Sequence, residues 1–569
     1  MAAQRVPNLL WPESARDRAV PHRVDYPPFM RDLGITSILD HVYAKLKFVS
    51  QAQDLFSSLC EEVDVIQYRL DIVEDLLALP SVTKSFTELL PKLERLTQLR
   101  RDQQLVQHLN VFQQIAYRLE VLSDTFDCIE HLYAALSRVE CHLRSSGLRT
   151  LLEYLDAVRK SGEYQALTEE LPRLLRSIEQ VRSVTIGLNL SGGLRPVEAT
   201  ILSIDAKPFK PRPLLTRLFG YPSEDQAYHG IGPFHSVFKG RPGTTALEEM
   251  MFDDLAEVFF AATKPVEDAL SRCTRDIGQF LIALESAIRF YLGGVVLIRE
   301  LQKAGVPMCK PDVAPLEERV CDIEGVYDVN LALELLKHST DLSERIVLND
   351  VCFGPQGRIL ILTGPNQGGK TTYTRAIGVA QVLFQAGLYV PGKRARMSPV
   401  DWIHTHFLAD EIPNSEEGKL AEECRRMAAI FERATRYSLI LLNESLSSTS
   451  PGESFYLTEG VVKGLRMTGC RAIFTTHLHD LAARANDINA ETPGDSTVIS
   501  VVAGLVEDPA DTDETSVRRR SYQIQPGPPQ GSSFALDIAR RYGISLEQIV
   551  ERIEKRKGAN DAGGQYAVH

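Results

Sequence analysis

The segment Thr363-Gly364-Pro365-Asn366-Gln367-Gly368-Gly369-Lys370-Thr371-Thr372 fits the pattern G-x-x-x-x-G-K-[ST]. Glycines allow a backbone to curl until successive N–H groups face inward onto an anion, with no side chain in the way. Lys370 is then placed to reach the β- and γ-phosphates of a nucleotide, and the Thr371 hydroxyl to bind Mg2+. The binding set is therefore Gly364, Pro365, Asn366, Gln367, Gly368, Gly369, Lys370, Thr371 and Thr372, with ATP and Mg2+ as the expected ligands. Farther along, Ser438-Leu439-Ile440-Leu441-Leu442-Asn443-Glu444 is an apolar run ending in two polar residues, the form of a Walker B strand. Its first polar residue holds the metal and the following carboxylate orients or deprotonates the attacking water. Glu444 takes the base position. Asn443 stands where an aspartate is usual and offers Mg2+ an oxygen without a charge. Losing that charge in a partly dry site costs on the order of a few kcal/mol, which predicts slow turnover. A third run, Ile473-Phe474-Thr475-Thr476-His477, ends in a histidine suited to sensing a γ-phosphate, and His479 competes for the role. The catalytic set is Glu444, Lys370 and His477; the metal set is Thr371 and Asn443.

These groups need a scaffold that brings three distant segments together. Apolar strands are expected at 358–363, 400–408, 437–443, 470–475, 498–506 and 519–524, with helices between them, the one after the phosphate loop over 373–384. Strands alternating with helices imply a mainly parallel α/β sheet. The segment 531–556 reads as two helices split at Gly543. Upstream, residues 32–183 carry apolar residues at helical spacing, with breaks expected at Pro80, Gly147 and Pro172. A second helical tract runs over 245–304, and the two tracts should pack on each other, since long helices need partners. Between them, 183–190 and 195–204 flank Ser191-Gly192-Gly193 as a β-hairpin. The stretch 206–244 interleaves Lys207, Lys210, Arg212, Arg217, Lys239 and Arg241 with aromatic residues. Such residues suit a phosphate backbone and unstacked bases; the simpler reading, a solvated loop pinned to the helices by its aromatics, stands slightly ahead of it.

The fold class is thus an α/β P-loop ATPase domain with a mainly parallel sheet, preceded by an all-α domain with a small β-hairpin insertion. The division is 1–30 as a lead-in, 31–320 as the helical core and 321–569 as the ATPase. The net charge of −12 argues against a protein coated in positive charge, although a local basic surface is compatible with it. No apolar stretch is expected to span a bilayer, and the N-terminus lacks the apolar core of a signal peptide. The nine cysteines form no C-x-x-C pair, which suggests a reduced, cytoplasmic protein without structural zinc.

These residues resemble the MutS family. Residues 364–372 are similar to its G-P-N-M-G-G-K-S-T, and Val347-Leu348-Asn349-Asp350 is similar to its "pNDv" entry to the ATPase domain. The segment 441–454 resembles L-L-D-E-x-G-R-G-T-S-x-x-D-G: Glu444, Thr449 and Ser450 match, while Asn443, Leu446, Ser447 and Ser448 depart. Residues 475–481 resemble the A-T-H-Y-H-E-L switch, 532–539 the S-Y-G-I-x-V-A helix, and 69–76 with 93–96 the start of the helical core. The resemblance implies an ABC-type ATPase acting as a homodimer, each nucleotide lying between subunits. Asp410-Glu411 and Glu417-Gly418-Lys419-Leu420 occupy the place of the loop that reaches the partner's γ-phosphate, without its serine–threonine pair. The helical tracts would be levers to DNA, with 183–244 in a clamp-like position and a C-terminal helical dimerisation segment. With about thirty residues before the helices and a short stretch after Arg556, neither the family's mismatch-reading domain nor a C-terminal nuclease module is expected in these 569 residues. Phe86-Thr87-Glu88 matches the wedge tripeptide of that domain but falls within a helical tract and is given no role. The implied function is an ATP-dependent, DNA-binding ATPase of repair or recombination, with no mismatch preference expected. The alternatives are a nucleotide-switched factor on RNA, a ribosome or a protein, and an ATP binder with very slow hydrolysis.

Overall fold

The computed structural model describes residues 6–15, 25–101, 111–179, 183–193, 196–208, 280–407, 418–506, 519–529 and 542–563. Two compact units emerge: Met1–Glu13 with Asp75–Leu292, and Ser14–Glu74 with Gly293–His569.

The first unit is built on helices Pro80–Arg101, Val111–Ser137, Ser146–Lys160 and Gly162–Glu179. Each buries one apolar stripe. On Ser146–Lys160 the stripe is Leu148, Leu151, Leu152, Leu155 and Val158, the spacing of a half-buried helix. The Ser145 hydroxyl caps this helix by accepting from the Leu148 amide. The turn before it is fixed by the Asp75 carboxylate, which accepts from the Ser145 amide at 2.8 Å and the Ser145 hydroxyl at 2.7 Å. Helix Phe280–Lys303 packs its first turns on the same bundle. The Phe280 ring meets Tyr154 with centroids 4.9 Å apart, and Arg289 donates to Glu285 at 2.7 Å. The expected packing of the two helical tracts thus holds for 280–292, while 245–279 lies outside the described residues. Pro80 starts a helix, as proline can at a first turn. Pro172 does not break its helix but sits inside it; Tyr164, Leu167 and Leu171 stay buried on that helix's inner face, and this packing outweighs one lost backbone bond. Strands β1 (Ser183–Leu190) and β2 (Pro196–Asp205) form the antiparallel hairpin read from sequence. Of the basic aromatic stretch, 209–244 lies outside the described residues.

The expectation that nothing could span a bilayer needs correction on length and composition. Phe280–Lys303, a helix of 24 residues whose most apolar 18-residue window has a mean hydropathy of 1.8, is long and apolar enough. Its most apolar window is 78% buried within the protein, as befits a core helix.

The second unit carries β3 (Met308–Cys309), β4 (Asp312–Val313), β5 (Cys321–Val326), β6 (Asn349–Phe353), β7 (Ile359–Thr363), β8 (Val390–Pro391), β9 (Arg394–Met397), β10 (Ile403–Phe407), β11 (Leu439–Asn443), β12 (Arg471–Thr475), β13 (Val498–Val506) and β14 (Arg519–Pro526). The main sheet has the order β10-β11-β12-β7-β13-β14. It is parallel from β10 to β13, and β14 closes it antiparallel. Strands β7, β10, β11 and β12 are buried at every residue, which explains the apolar runs without alternation in β7, β11 and β12; β10 buries His404, Thr405 and His406 as well. Asn443 pairs with Thr475, and Thr475 with Leu362. That register brings the three motif-bearing strand ends to the same sheet edge. A smaller sheet, β4-β9-β5-β6, was not read from sequence; its strands are short and only half buried, and such a signal is easily lost among loops.

The first helices of the chain belong to this unit, so its boundaries differ from the linear division at residues 31 and 320. Phe29 packs edge-on against Trp402 at 5.9 Å, and Thr405 on β10 donates to Asp32 at 2.7 Å. Arg471, fully buried at the start of β12, donates to the carbonyls of Val320, Ser398 and Pro399 at 3.0, 3.2 and 2.8 Å. Burial pushes its pKa down to about 10, so it stays charged at neutral pH. Arg471→Met leaves those carbonyls short of a donor and should destabilise the protein by about 2–4 kcal/mol. Urea unfolding would read this as a lower midpoint at an unchanged slope.

Candidate functional site

Strand β7 ends at Thr363, the chain turns through 364–369, and helix Lys370–Ala386 begins. Gly364 and Gly369 have φ of +138° and +89°, which L-residues rarely adopt. A Cβ on Gly364 would lie 2.7 Å from the Cβ of Ala503 on β13. Gly369 caps the helix with no side-chain hydrogen bond, so its first-turn amides remain open to an anion.

Lys370 is buried, and its Nζ donates to the carbonyls of Gly364 at 2.9 Å and Pro365 at 3.0 Å. Burial lowers its pKa, opposed by the Glu444 carboxylate. The Thr371 hydroxyl donates to Oδ1 of Asn443 at 3.0 Å. Two neutral oxygens from different segments therefore stand side by side, as the ligation of one hard cation requires. Glu444 Oε1 lies 2.8 Å from Nε2 of His477. The hydrogen bond from His477 holds the Glu444 carboxyl below the usual range, against the effect of burial, with the charge of Lys370 adding to the shift. Glu444 is thus a carboxylate at neutral pH, poised to accept a proton. Of the two candidate histidines, His477 meets Glu444. Burial lowers the pKa of His479, whose Nδ1 has no hydrogen-bond partner among the described residues.

A cavity of about 530 Å3 opens beside these groups. Its lining includes Gln367, Gly368, Gly369, Lys370, Thr371, Thr372 and Glu444, together with the apolar Leu331, Leu335 and Val347 and the ring of Tyr522. Gly364, Pro365, Asn366, Asn443 and His477 are not among the lining residues: Asn443 meets the site through Thr371, and His477 through Glu444. Of the loop expected to reach a partner subunit, Asp410, Glu411 and Glu417 lie outside the described residues, and Gly418 precedes helix Lys419–Arg433. Ser450 precedes helix Pro451–Thr468, and the hydroxyls of Thr449 and Ser450 both donate to Glu453.

Two further residues went unread as site residues. Tyr522, half-exposed and at φ +56°, stands on β14 beside Gly369. Asn349 at the start of β6 holds it there: its Nδ2 donates to the Tyr522 carbonyl at 3.0 Å, and its Oδ1 accepts from the Ile524 amide at 2.7 Å. The ring offers a stacking face near a phosphate cradle, as the base of a nucleotide needs. No spacing rule could reveal it, because the pair joins strands far apart in the chain.

Comparison with known proteins places the chain among relatives of one family. The family model described as MutS domain V matches residues 360–558, and that described as MutS2 N-terminal domain matches residues 61–304. A DNA mismatch repair protein MutS of Chlorobium phaeobacteroides is 30% identical over 247 residues, 43% of this chain and 26% of the relative. An Endonuclease MutS2 of Thermus thermophilus is 28% identical over 221 residues, 39% and 27% of the two chains. The DNA mismatch repair protein MSH2 of Saccharomyces cerevisiae is 26% identical over 256 residues, 45% and 25%. The chain thus spans about a quarter of the length of these relatives.

Replacing Tyr522 with Ala should weaken binding of a fluorescent ATP analogue about tenfold while leaving binding of inorganic triphosphate unchanged, given that base–aromatic stacking contributes roughly 1–3 kcal/mol. Titration of both probes checks this.

Proposed function

The chain belongs to the MutS family, and we propose that it is an ATP-dependent, DNA-binding ATPase that works as a homodimer. The observation carrying this reading is the convergence, at one sheet edge, of a glycine cradle, a buried lysine and a carboxylate hydrogen-bonded to a histidine. The residues present fit Mg-ATP: uncapped helix amides and Lys370 for the phosphates, Tyr522 and the apolar lining for the base, and Thr371 with Asn443 for the metal. Bound Mg2+ supplies positive charge to the phosphate oxygens. Glu444 takes the proton of the attacking water, and His477 keeps that carboxylate ionised and directed. Asn443 contributes an oxygen without charge, so turnover is slow.

In this reading nucleotide binding joins two copies across their ATPase units and shifts the helical unit between two arrangements, changing DNA affinity. The names of the relatives, mismatch repair protein and endonuclease among them, support DNA as the partner class. The DNA structure preferred is branched, recombining or damaged DNA rather than a mismatch. The net charge of −12 favours a second reading, in which the helical unit grips RNA or a protein; a steep salt dependence of duplex or branched DNA binding would decide for DNA.

The main experiment measures ATPase rate with and without duplex, mismatched, branched and single-stranded DNA. DNA should change ATP affinity by the same factor that ATP changes DNA affinity, and no coupling in either direction sinks the proposal. Lys370→Ala should lose ATP retention. Glu444→Gln should keep it while turnover drops roughly a hundredfold. Asn443→Asp should raise kcat on the order of tenfold and tighten the Mg2+ requirement. With His477→Ala, the Glu444 pKa rises toward its ordinary value, so the acid limb of the kcat/KM profile should move to higher pH.

A further inference from the structure

The turn that presents Glu444 is strained. Glu444 and Leu446 have φ of +53° and +60° without being glycine, and Ser445 lies between them. Such conformations persist only where the surroundings over-determine them. Two clamps act on the flanks: the Glu444 amide donates to the Thr475 carbonyl of β12 at 2.9 Å, and the carbonyl of the buried Leu446 accepts from the Ser454 hydroxyl at 2.7 Å. The middle of the turn is gripped from the other side by β10. Ser445 Oγ lies 2.7 Å from Nδ1 of His406 and 3.3 Å from the His406 carbonyl.

We propose that His406 is a positioning residue for the Glu444 carboxylate, acting through Ser445. Strand β10 runs parallel to β11 with His406 opposite Leu442 and Phe407 opposite Asn443, so His406 sits one residue short of the strand end, from where its ring reaches the turn. Both His406 and Ser445 are buried. Burial pushes the imidazole pKa down to about 4, so the ring is neutral at physiological pH. The serine hydroxyl has one proton, which goes to the His406 carbonyl; Nδ1–H of the ring then donates to the serine oxygen, and both contacts are satisfied. Without this grip Glu444 and Leu446 are free to relax toward the ordinary right-handed conformation, and the carboxylate swings away from His477. Ser445 and His406 are therefore expected to affect the chemical step and leave nucleotide binding alone. The inference rests on the reading of Glu444 as the general base.

The test uses the full chain and compares single-turnover ATP hydrolysis with ATP affinity. Ser445→Ala and His406→Leu should each slow hydrolysis about tenfold while the Kd for ATP stays within about twofold, and the retained affinity reports that the fold is intact. Because the two act as one unit, the double variant should be no slower than either single one. His406→Asn puts an amide nitrogen where Nδ1 stood and should recover most of the rate; His406→Gln reaches one bond too far and should not. Rates within twofold of the unaltered protein for Ser445→Ala, additive losses in the double variant, or an Asn variant as slow as Leu would each overturn the proposal. Glu444→Gln separates the two levels. If it hydrolyses ATP normally, the general-base reading and this inference fall together; if it is inactive while Ser445→Ala is unaffected, only the role of His406 falls.

Discussion

Everything at the candidate site depends on three neighbouring strands, β7, β12 and β11, running in one direction and ending at one level. A parallel ladder has evenly spaced bonds, and all three strands are buried on both faces. A slip of one residue would drive polar strand ends into the core or pull apolar residues out of it. The register is therefore held by the burial of Ile361, Leu442 and Phe474 in one apolar cluster. The consequence is chemical: the phosphate loop, the Asn443-Glu444 pair and His477 all emerge at the same edge, where the N-terminus of helix Lys370–Ala386 begins.

The electrostatics of that edge follow from partial dehydration. Lys370 is buried with its charge met by two loop carbonyls. Dipoles of this kind satisfy an ammonium group less well than an anion would, and burial accordingly lowers its pKa. The Glu444 carboxyl is likewise held below its usual range, by the hydrogen bond from His477 and by Lys370, and for an acid that favours the charged form. The two groups hold opposite charges in place around a cavity, ready to act on a ligand that itself carries charge. Asn443, neutral, accepts from the Thr371 hydroxyl beside these two groups and adds no charge to them.

Around the main sheet, the α/β unit is stitched together by side chains that donate to backbone carbonyls. Arg471 joins β12 to the segments at Val320 and Ser398–Pro399, and Gln385 at the end of the phosphate-loop helix donates to Val400 and Cys60. Residues 14–74 join this unit through side chains as well: Phe29 meets the Trp402 ring, Asp32 accepts from the Thr405 hydroxyl, and the Leu33 carbonyl accepts from Asn330.

The sequence by itself determined the elements whose physical signals are local. A glycine pattern before Lys370-Thr371, apolar runs that can only be buried strands, and the Ser191-Gly192-Gly193 turn each encode their own conformation, and the main sheet and the hairpin follow. Tertiary structure decided what depends on meetings between distant segments. Which histidine faces Glu444 turned on the strand register, since His477 and His479 differ little as sequence. Tyr522 became part of the cavity only because Asn349 pins it across two strands. The membership of residues 14–74 in the α/β unit rests on contacts with residues hundreds of positions away, and an amphipathic helix carries no mark of which core will bury its apolar face.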